Sequence, residues 1–554
     1  MVGSAGDDAL SRRSGGSRAA REPRQDAAAE HRADADRLNA EHRADADRLN
    51  QAREVTARLQ RALLPSAVPV LPQARIAARY LVASQELAAG GDWLDAIPLA
   101  GGTVALVVGD VVGHGLAAAA AMAQLRAVLT ELLVAEPDLA VVLSRVDAFA
   151  ERTPALRATT LALAVVDPAA GSLWYATCGH PAPLIVSADG ATRYLAASGA
   201  GPVGTGSAPV LAADRLLPGE VILLYSDGLI ERPGRTLTES MNELAAAAAD
   251  AAADRGMAGG ARASAAERVS QLTLDRLAGA GYTDDVTVLA AERMAAAIPA
   301  VHVRVQSEVT SLPVLRRALH DWLADVDPQP DDRDGIHMAV VEIVTNAIEH
   351  AYPRGQPGPI EFSLTLRADG LLECVVTDYG RWRPPASAEA DRGNGLMVTR
   401  HLVDEMQVTH PADANGAPAG APSTVVTLRH CLRRPVALGT ASGPESAASL
   451  APPFDVMNEA AGGIARALVR GAVDITTADQ LLRRLLAACR GGTLPLTVDL
   501  TGVTQLASAG VSALYQLSRQ LKLHQHSLSL IVTPGSAVDA VLELVRLPRV
   551  TGLT

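Results

Sequence analysis

An apolar run, Val104 to Val108, ends abruptly in Gly109-Asp110-Val111-Val112-Gly113-His114-Gly115. This puts a carboxylate at the end of a predicted strand, between glycines that let the backbone turn and approach a ligand closely. Leu224-Tyr225-Ser226-Asp227-Gly228 has the same form, Asp284-Asp285 stands just before Val286 to Leu289, and Gly90-Gly91-Asp92-Trp93 adds another acid. One Asp-Gly pair is an ordinary turn or cap; its recurrence at strand boundaries is what points to a site. Hard oxygen donors without His or Cys suit Mg²⁺ or Mn²⁺, and such a cluster around two ions can activate water for attack on a phosphate ester.

A second constellation lies downstream. In Ile336 to Tyr352 apolar residues recur at helical spacing, and Glu342 and Asn346, four apart, share a face. An Asn oxygen can bind Mg²⁺ that carries nucleotide phosphates, and a nearby carboxylate can take a hydroxyl proton during phosphoryl transfer. Val375-Val376-Thr377-Asp378-Tyr379-Gly380 is a strand ending in Asp-x-Gly, whose carboxylate can accept from an adenine amino group. Gly393-Asn394-Gly395 opens a helix whose N–H groups can meet phosphate. Further on, Ser508 opens another helix, where free N–H groups favour added negative charge, although an ordinary Ser cap has the same form.

These residues need several bodies to hold them. A chain of 554 residues exceeds one hydrophobic core and predicts three or four domains. Its net charge of -12 gives no reason to expect nucleic acid or an anionic membrane as partner. Four cysteines without a CxxC pair argue against a zinc site or a disulfide framework, and no apolar run is long enough to span a bilayer. The N-terminus has no signal-peptide core, so the expected compartment is the cytoplasm.

Residues 1–28, rich in Gly, Ser, Arg and Asp, are expected to be disordered. Residues 29–58 are expected to form a charged helix, because Ala29 to Asn39 recurs unchanged as Ala40 to Asn50 and keeps Leu38 and Leu49 on one stripe. Such a helix either stands alone or pairs with a second copy to make a homodimer. Residues 59–292 alternate apolar strands with helices, with an Ala/Gly-rich helix and loop insertion expected at Asn242 to Ala263; 301–432 form a second α/β region closed by a strand from Thr424 to Leu428. Residues 433–454 read as a flexible linker and 455–554 as a small α/β domain.

The acids have specific neighbours. Leu59-Gln60-Arg61-Ala62-Leu63-Leu64-Pro65, Gly90-Gly91-Asp92-Trp93, Gly109 to Gly115, Cys178-Gly179-His180-Pro181, Tyr225 to Glu231 and Thr283-Asp284-Asp285-Val286-Thr287 stand in the order seen in bacterial stage II sporulation protein E-type phosphatases, which the chain resembles over residues 57–292. The resemblance implies an αββα sandwich, Asp92 and Asp110 as catalytic metal ligands, the Val111 carbonyl as a further ligand, and Asp227 and Asp284 completing a site for two Mn²⁺ or Mg²⁺ ions. His114 and His180 read as residues that orient loops.

Glu342, Asn346, Asp378, Gly380, Gly393 and Gly395, with Asp378 to Pro385, resemble the anti-sigma-factor serine kinases of the histidine-kinase-like (GHKL) ATPase fold, which implies ATP with Mg²⁺. Asp499 to Gly510 resembles the STAS domain of anti-sigma-factor antagonists, with Ser508 as the phosphoacceptor candidate, although Ala507 and Ala509 replace the acid and the second hydroxyl residue of that motif.

The expectation is therefore a multidomain α/β partner-switching regulator joining a phosphoserine/threonine phosphatase, a serine kinase and an antagonist module. Its implied partners are STAS antagonists and a sigma factor. The rival is an active phosphatase whose kinase and STAS modules serve mainly as a binding scaffold. The altered Ala507-Ser508-Ala509 supports this for STAS, and the intact Glu342/Asn346 pair opposes it for the kinase.

Overall fold

In the first domain the apolar runs become two facing sheets. The computed structural model describes residues 63–551, apart from short internal stretches of which the longest are 83–89, 255–262, 382–394, 412–420 and 440–453. The expected N-terminal disorder, the repeat helix with its homodimer, and residues 382–385 of the Asp378 to Pro385 tract lie outside the described residues, as does His114. The strands are β1 (Ala67–Pro69), β2 (Ala74–Leu81), β3 (Asp92–Pro98), β4 (Val104–Asp110), β5 (Thr160–Val166), β6 (Ser172–Cys178), β7 (Leu184–Val186), β8 (Thr192–Tyr194), β9 (Ala212–Arg215), β10 (Val221–Tyr225) and β11 (Val286–Arg293). One sheet runs β3-β4-β5-β6-β9, and the other contains β2-β11-β10-β7-β8.

Helices α1 (Leu116–Ala135) and α2 (Leu139–Arg152) cover the first sheet, while α3 (Leu237–Ala252) and α4 (Ala265–Leu277) cover the second. Between the sheets lie Ile76, Leu94, Leu106, Val108, Ile222 and Leu289, so three apolar layers make the αββα sandwich. The helix expected in the Ala/Gly-rich stretch is α3, which covers the second sheet, and 255–262 of that stretch lie outside the described residues. Ala247, Ala248 and Ala251 are fully buried, because small side chains let α3 approach its neighbours closely. Among the described residues only α1 has the length and hydropathy to cross a membrane; its Met122, Leu125 and Leu129 are buried in the core.

The second domain has β12 (Val301–Gln306), α5 (Leu312–Val326), α6 (Pro330–His350), β13 (Pro359–Leu366), β14 (Leu371–Asp378), α7 (Gly395–Leu402), β15 (Glu405–Thr409) and β16 (Thr424–Cys431). Its sheet order is β12-β13-β14-β16-β15, with the last strand, expected from Thr424, lying between β14 and β15. The inward residues Phe362, Leu364, Cys374 and Leu428 pack on Leu319, Ile336 and Val340 of the two helices. Pro330 and two acids, Asp331 and Asp332, open α6.

Buried Asp332 also ties α6 to the end of the sheet. Burial alone would raise its carboxyl, but hydrogen bonds from His430, Gln329 Nε2 (2.7 Å) and the Arg433 N–H (2.8 Å) outweigh that and hold it below the usual carboxylate range. A carboxylate depressed in this way contributes stability above its unfolded value, near pH 4, and loses it as pH falls through the folded value. Asp332→Ala is therefore expected to cost about 2 kcal/mol at pH 7 by orphaning these donors, and much less at pH 3. Thermal melts of both chains at the two pH values measure it.

Residues 433–438, expected as the start of a flexible linker, are strands. β17 (Arg433–Pro435) pairs antiparallel with β1, and β18 (Ala437–Leu438) pairs parallel with β2, adding an edge to the second sheet of the first domain. The third domain follows with β19 (Asp455–Ala461), β20 (Ile464–Val473), α8 (Ala478–Ala488), β21 (Leu496–Leu506), α9 (Ser508–Leu523), β22 (Leu528–Val532), α10 (Ala537–Leu544) and β23 (Arg549–Thr551), as one sheet in sequence order. Met338 of α6 is buried with this domain's core, and Leu402 of α7 packs against it.

Candidate active site

The β3–β4 hairpin turns through Gly101 and Gly102, both at positive φ, so its open end carries the two acids. Antiparallel register sets Asp92 directly opposite Asp110. Past the last pair, the Val111 N–H donates to the Gly91 carbonyl at 3.2 Å. The glycines are required by space: a Cβ at Gly91 would lie 2.1 Å from the Val111 carbonyl oxygen, and one at Gly109 2.1 Å from the Trp93 ring.

The opposing sheet supplies the other acids. Asp227 opens a 3-10 turn after β10, with its carbonyl accepting from the N–H groups of Ile230 and Glu231. A Cβ at Gly228 would lie 2.1 Å from the Asp285 carbonyl oxygen, so this turn and the start of β11 touch backbone to backbone. Asp284 is exposed and accepts from the Asp285 N–H at 2.8 Å, while Asp285 is buried and accepts from the Tyr80 hydroxyl. Thr287 Oγ1 donates to Asp92 Oδ2 across the sandwich at 3.0 Å, and Ser226 Oγ accepts from the Thr287 N–H.

These carboxylates stand in each other's field. Burial first, then Asp110, Asp285 and Asp227, raises Asp92 well above the carboxylate range; burial first, then Asp227, Asp284 and Asp285, pushes Asp110 up to about 7. Asp227 is raised by burial, Glu231 and Asp284. The leading charged groups that act on the three, among the described residues, are other carboxylates, so the site favours cations, and oxygen-only donors fit divalent ions of the Mg²⁺/Mn²⁺ kind. Among the described residues, no three His, Cys, Asp or Glu side chains form a ready-made ligand set. The acids approach one another from the two sheets without forming a closed ligand set among the described residues.

Sequence reasoning quoted Asp285, Thr287 and Ser226 within its motifs but gave them no role, and it missed Tyr80. The doubled acid before β11 was the available signal, since adjacent residues point to opposite sides of a strand. His180 is structural, as read: its Nε2–H donates to the Tyr225 carbonyl (3.1 Å) and its Nδ1 accepts from Thr160 Oγ1 (2.8 Å). Burial pushes its pKa down to about 4, so it stays neutral.

In the second domain the ends of α6 and β14 are joined. The Tyr379 N–H donates to Tyr352 Oη (2.9 Å) and the Arg381 N–H to the Ala351 carbonyl (2.8 Å), while a Cβ at Gly380 would lie 2.0 Å from that carbonyl oxygen. Buried Asp378 thereby comes to the end of the helix that carries buried Glu342 and half-buried Asn346 one turn apart. Asp378 Oδ1 accepts from the Gly380 N–H at 3.1 Å, and burial raises its carboxyl. Gly395 is the first residue of α7, and Gly393 lies outside the described residues. In the third domain Ser508 is the first residue of α9, one residue, Ala507, beyond the end of β21.

Residues 100–294 match the family profile described as stage II sporulation protein E, 305–419 that of a histidine kinase-like ATPase domain, and 463–554 that of a Mlab, STAS domain. Among solved structures, the RsbU and RsbW domains of Rv1364c from Mycobacterium tuberculosis are 37% identical, with a TM-score of 0.60, covering 69% of this chain and 99% of that one. Among curated relatives, the anti-sigma F factor of Priestia megaterium is 29% identical over 17% of this chain and 71% of its own length. That of Heyndrickxia coagulans is 30% identical, over 16% and 67% respectively.

Proposed function

We propose, for a chain that belongs to the family of stage II sporulation protein E-type phosphatases fused to a histidine-kinase-like ATPase and a STAS domain, that the Asp92–Asp110 site removes phosphate from a STAS antagonist and that the Glu342–Asn346 helix restores it. The chain is a partner-switching regulator by its family and domain order. The observation that supports the phosphatase assignment is Asp92 opposite Asp110, in the field of Asp227 and Asp284 from the other sheet, with carboxylates as the leading charged groups acting on them among the described residues.

Asp92, Asp110, Asp227, Asp284 and the Val111 carbonyl would hold two divalent ions, Mn²⁺ or Mg²⁺, which when bound supply a nucleophile at neutral pH and offset charge on the phosphate. Thr287 fixes the Asp92 carboxylate, and Tyr80 fixes Asp285 beside it. In the kinase, Asp378 would accept from the adenine amino group, beside Gly380. Gly393 and Gly395 would set N–H groups against the ATP phosphates, Asn346 would hold the Mg²⁺, and Glu342 would orient or deprotonate a serine hydroxyl. A sigma factor and its STAS antagonist are the partners this reading assigns, in the cytoplasm.

Incubating the chain with ATP and Mg²⁺ is expected to label serine, in a STAS antagonist and at Ser508, and added Mn²⁺ is expected to release that phosphate. Mass spectrometry of phosphosites with and without Mn²⁺ reads both steps. Label that persists in Mn²⁺ would overturn the phosphatase assignment. The absence of any phosphoserine would favour a kinase module that only binds, and label unchanged in Ser508→Ala would remove the fused domain as acceptor.

A further inference from the structure

We propose that the segment leaving the kinase, residues 433–439, is a working part of the phosphatase: a donated edge strand that locks Tyr80 and, through it, the acids of the site. The inference rests on the phosphatase reading and adds a positioning element to it. Without β18, β2 would be the unpaired edge of its sheet. Leu438 stands opposite Tyr80, and the Gly439 N–H donates to the Tyr80 carbonyl at 3.3 Å.

Tyr80 is fully buried and its hydroxyl donates to Asp285. The hydroxyl also lies against the Gly90–Asp92 turn, since a Cβ at Gly90 would lie 3.1 Å from it. One tyrosine thus spans the start of β11 on one sheet and the Asp92 hairpin on the other. Any looseness in β2 changes the spacing between acids contributed by the two sheets.

The strap is anchored at both ends. Val436 is buried in the core between the phosphatase sheets, and its N–H donates to the Ser66 carbonyl at 2.9 Å. In exchange, Val70 of the phosphatase is buried in the kinase core, with its N–H on the Leu432 carbonyl at 3.0 Å. Arg434 donates to the Asp327 and Val326 carbonyls, and Arg75 from β2 also reaches the Val326 carbonyl, at 2.9 Å. The path from the kinase sheet to Tyr80 is therefore continuous backbone pairing, without a free joint.

Gly439 offers a clean test, because a Cβ there meets open space whereas proline removes the donated N–H. In the full chain, Gly439→Pro is expected to speed amide exchange across residues 76–81 at least tenfold and to slow Mn²⁺-dependent hydrolysis of p-nitrophenyl phosphate about fivefold. ATP binding by calorimetry and the circular dichroism spectrum should not change, and Gly439→Ala should match the native chain in every measurement. Native exchange rates in Gly439→Pro would overturn the proposal, as would faster exchange with native hydrolysis. Loss of ATP binding alongside hydrolysis would also overturn it, by showing only a folding requirement. Exchange needs no turnover, so a native chain without hydrolysis would overturn the phosphatase reading and leave the strap to be decided by exchange alone.

Discussion

Asp110→Asn is expected to slow phosphate release from a phosphoserine antagonist at least a thousandfold, about 4 kcal/mol of transition-state stabilisation. Asn has the shape of Asp but lacks the charge that holds a divalent ion between the sheets. The same change is expected to stabilise the metal-free chain at pH 8. Asp110 has its carboxyl raised to about 7, so the fold favours its protonated form. The stability that this contributes is complete below the unfolded value near 4 and lost as pH rises through about 7. A neutral isostere escapes that loss. Phosphate release measured beside thermal melts in a chelator separates the two effects, and a variant that keeps a tenth of native activity would sink the assignment.

Asp378→Ala is expected to weaken ATP binding ten- to a hundredfold while leaving phosphate release intact. A hydrogen bond to a buried charged group contributes roughly 1.5–3 kcal/mol, and each 1.4 kcal/mol is a factor of ten in affinity. Asp378 is held for that role by the Gly380 N–H on one oxygen and by the strand end between Ile360 and Thr424. A carboxylate accepts from the adenine amino group but repels the carbonyl that guanine carries there, so GTP should bind the native chain poorly and lose little in the variant. Calorimetry with both nucleotides measures this, and equal ATP affinity in the two chains would discard the adenine contact.

The parts legible in the sequence were those written in local pattern. The runs from Val104 and from Thr424 are strands that begin at those residues, and the acids at strand ends stand in each other's field. Asp92 was singled out as an acid but its strand was not, because β3 is buried on both faces and carries Asp92 and Asp95, which breaks any alternation. Asp95 is neutralised by Arg126 of α1 at 2.7 Å, a partner that spacing cannot reveal. The Tyr80–Asp285 contact and the β18–β2 pairing join residues hundreds of positions apart, so nothing local announces them. Residues 433–438 lie in a Pro/Ala/Gly-rich tract, and composition hides a strand whose pairing partner belongs to another domain.

Met338, on the helix that carries Glu342 and Asn346, is buried among side chains of the STAS domain. Both domains belong to one chain, the kinase first and the STAS domain after it. Docking on that helix is consequently intramolecular, at an effective concentration on the order of millimolar. An antagonist arriving from solution at roughly 10 µM, with the same intrinsic affinity for that face, competes at odds of about one to a hundred. The expected consequence is a threshold: free antagonist displaces the resident domain only when it is abundant or when that domain's grip on the helix is weakened.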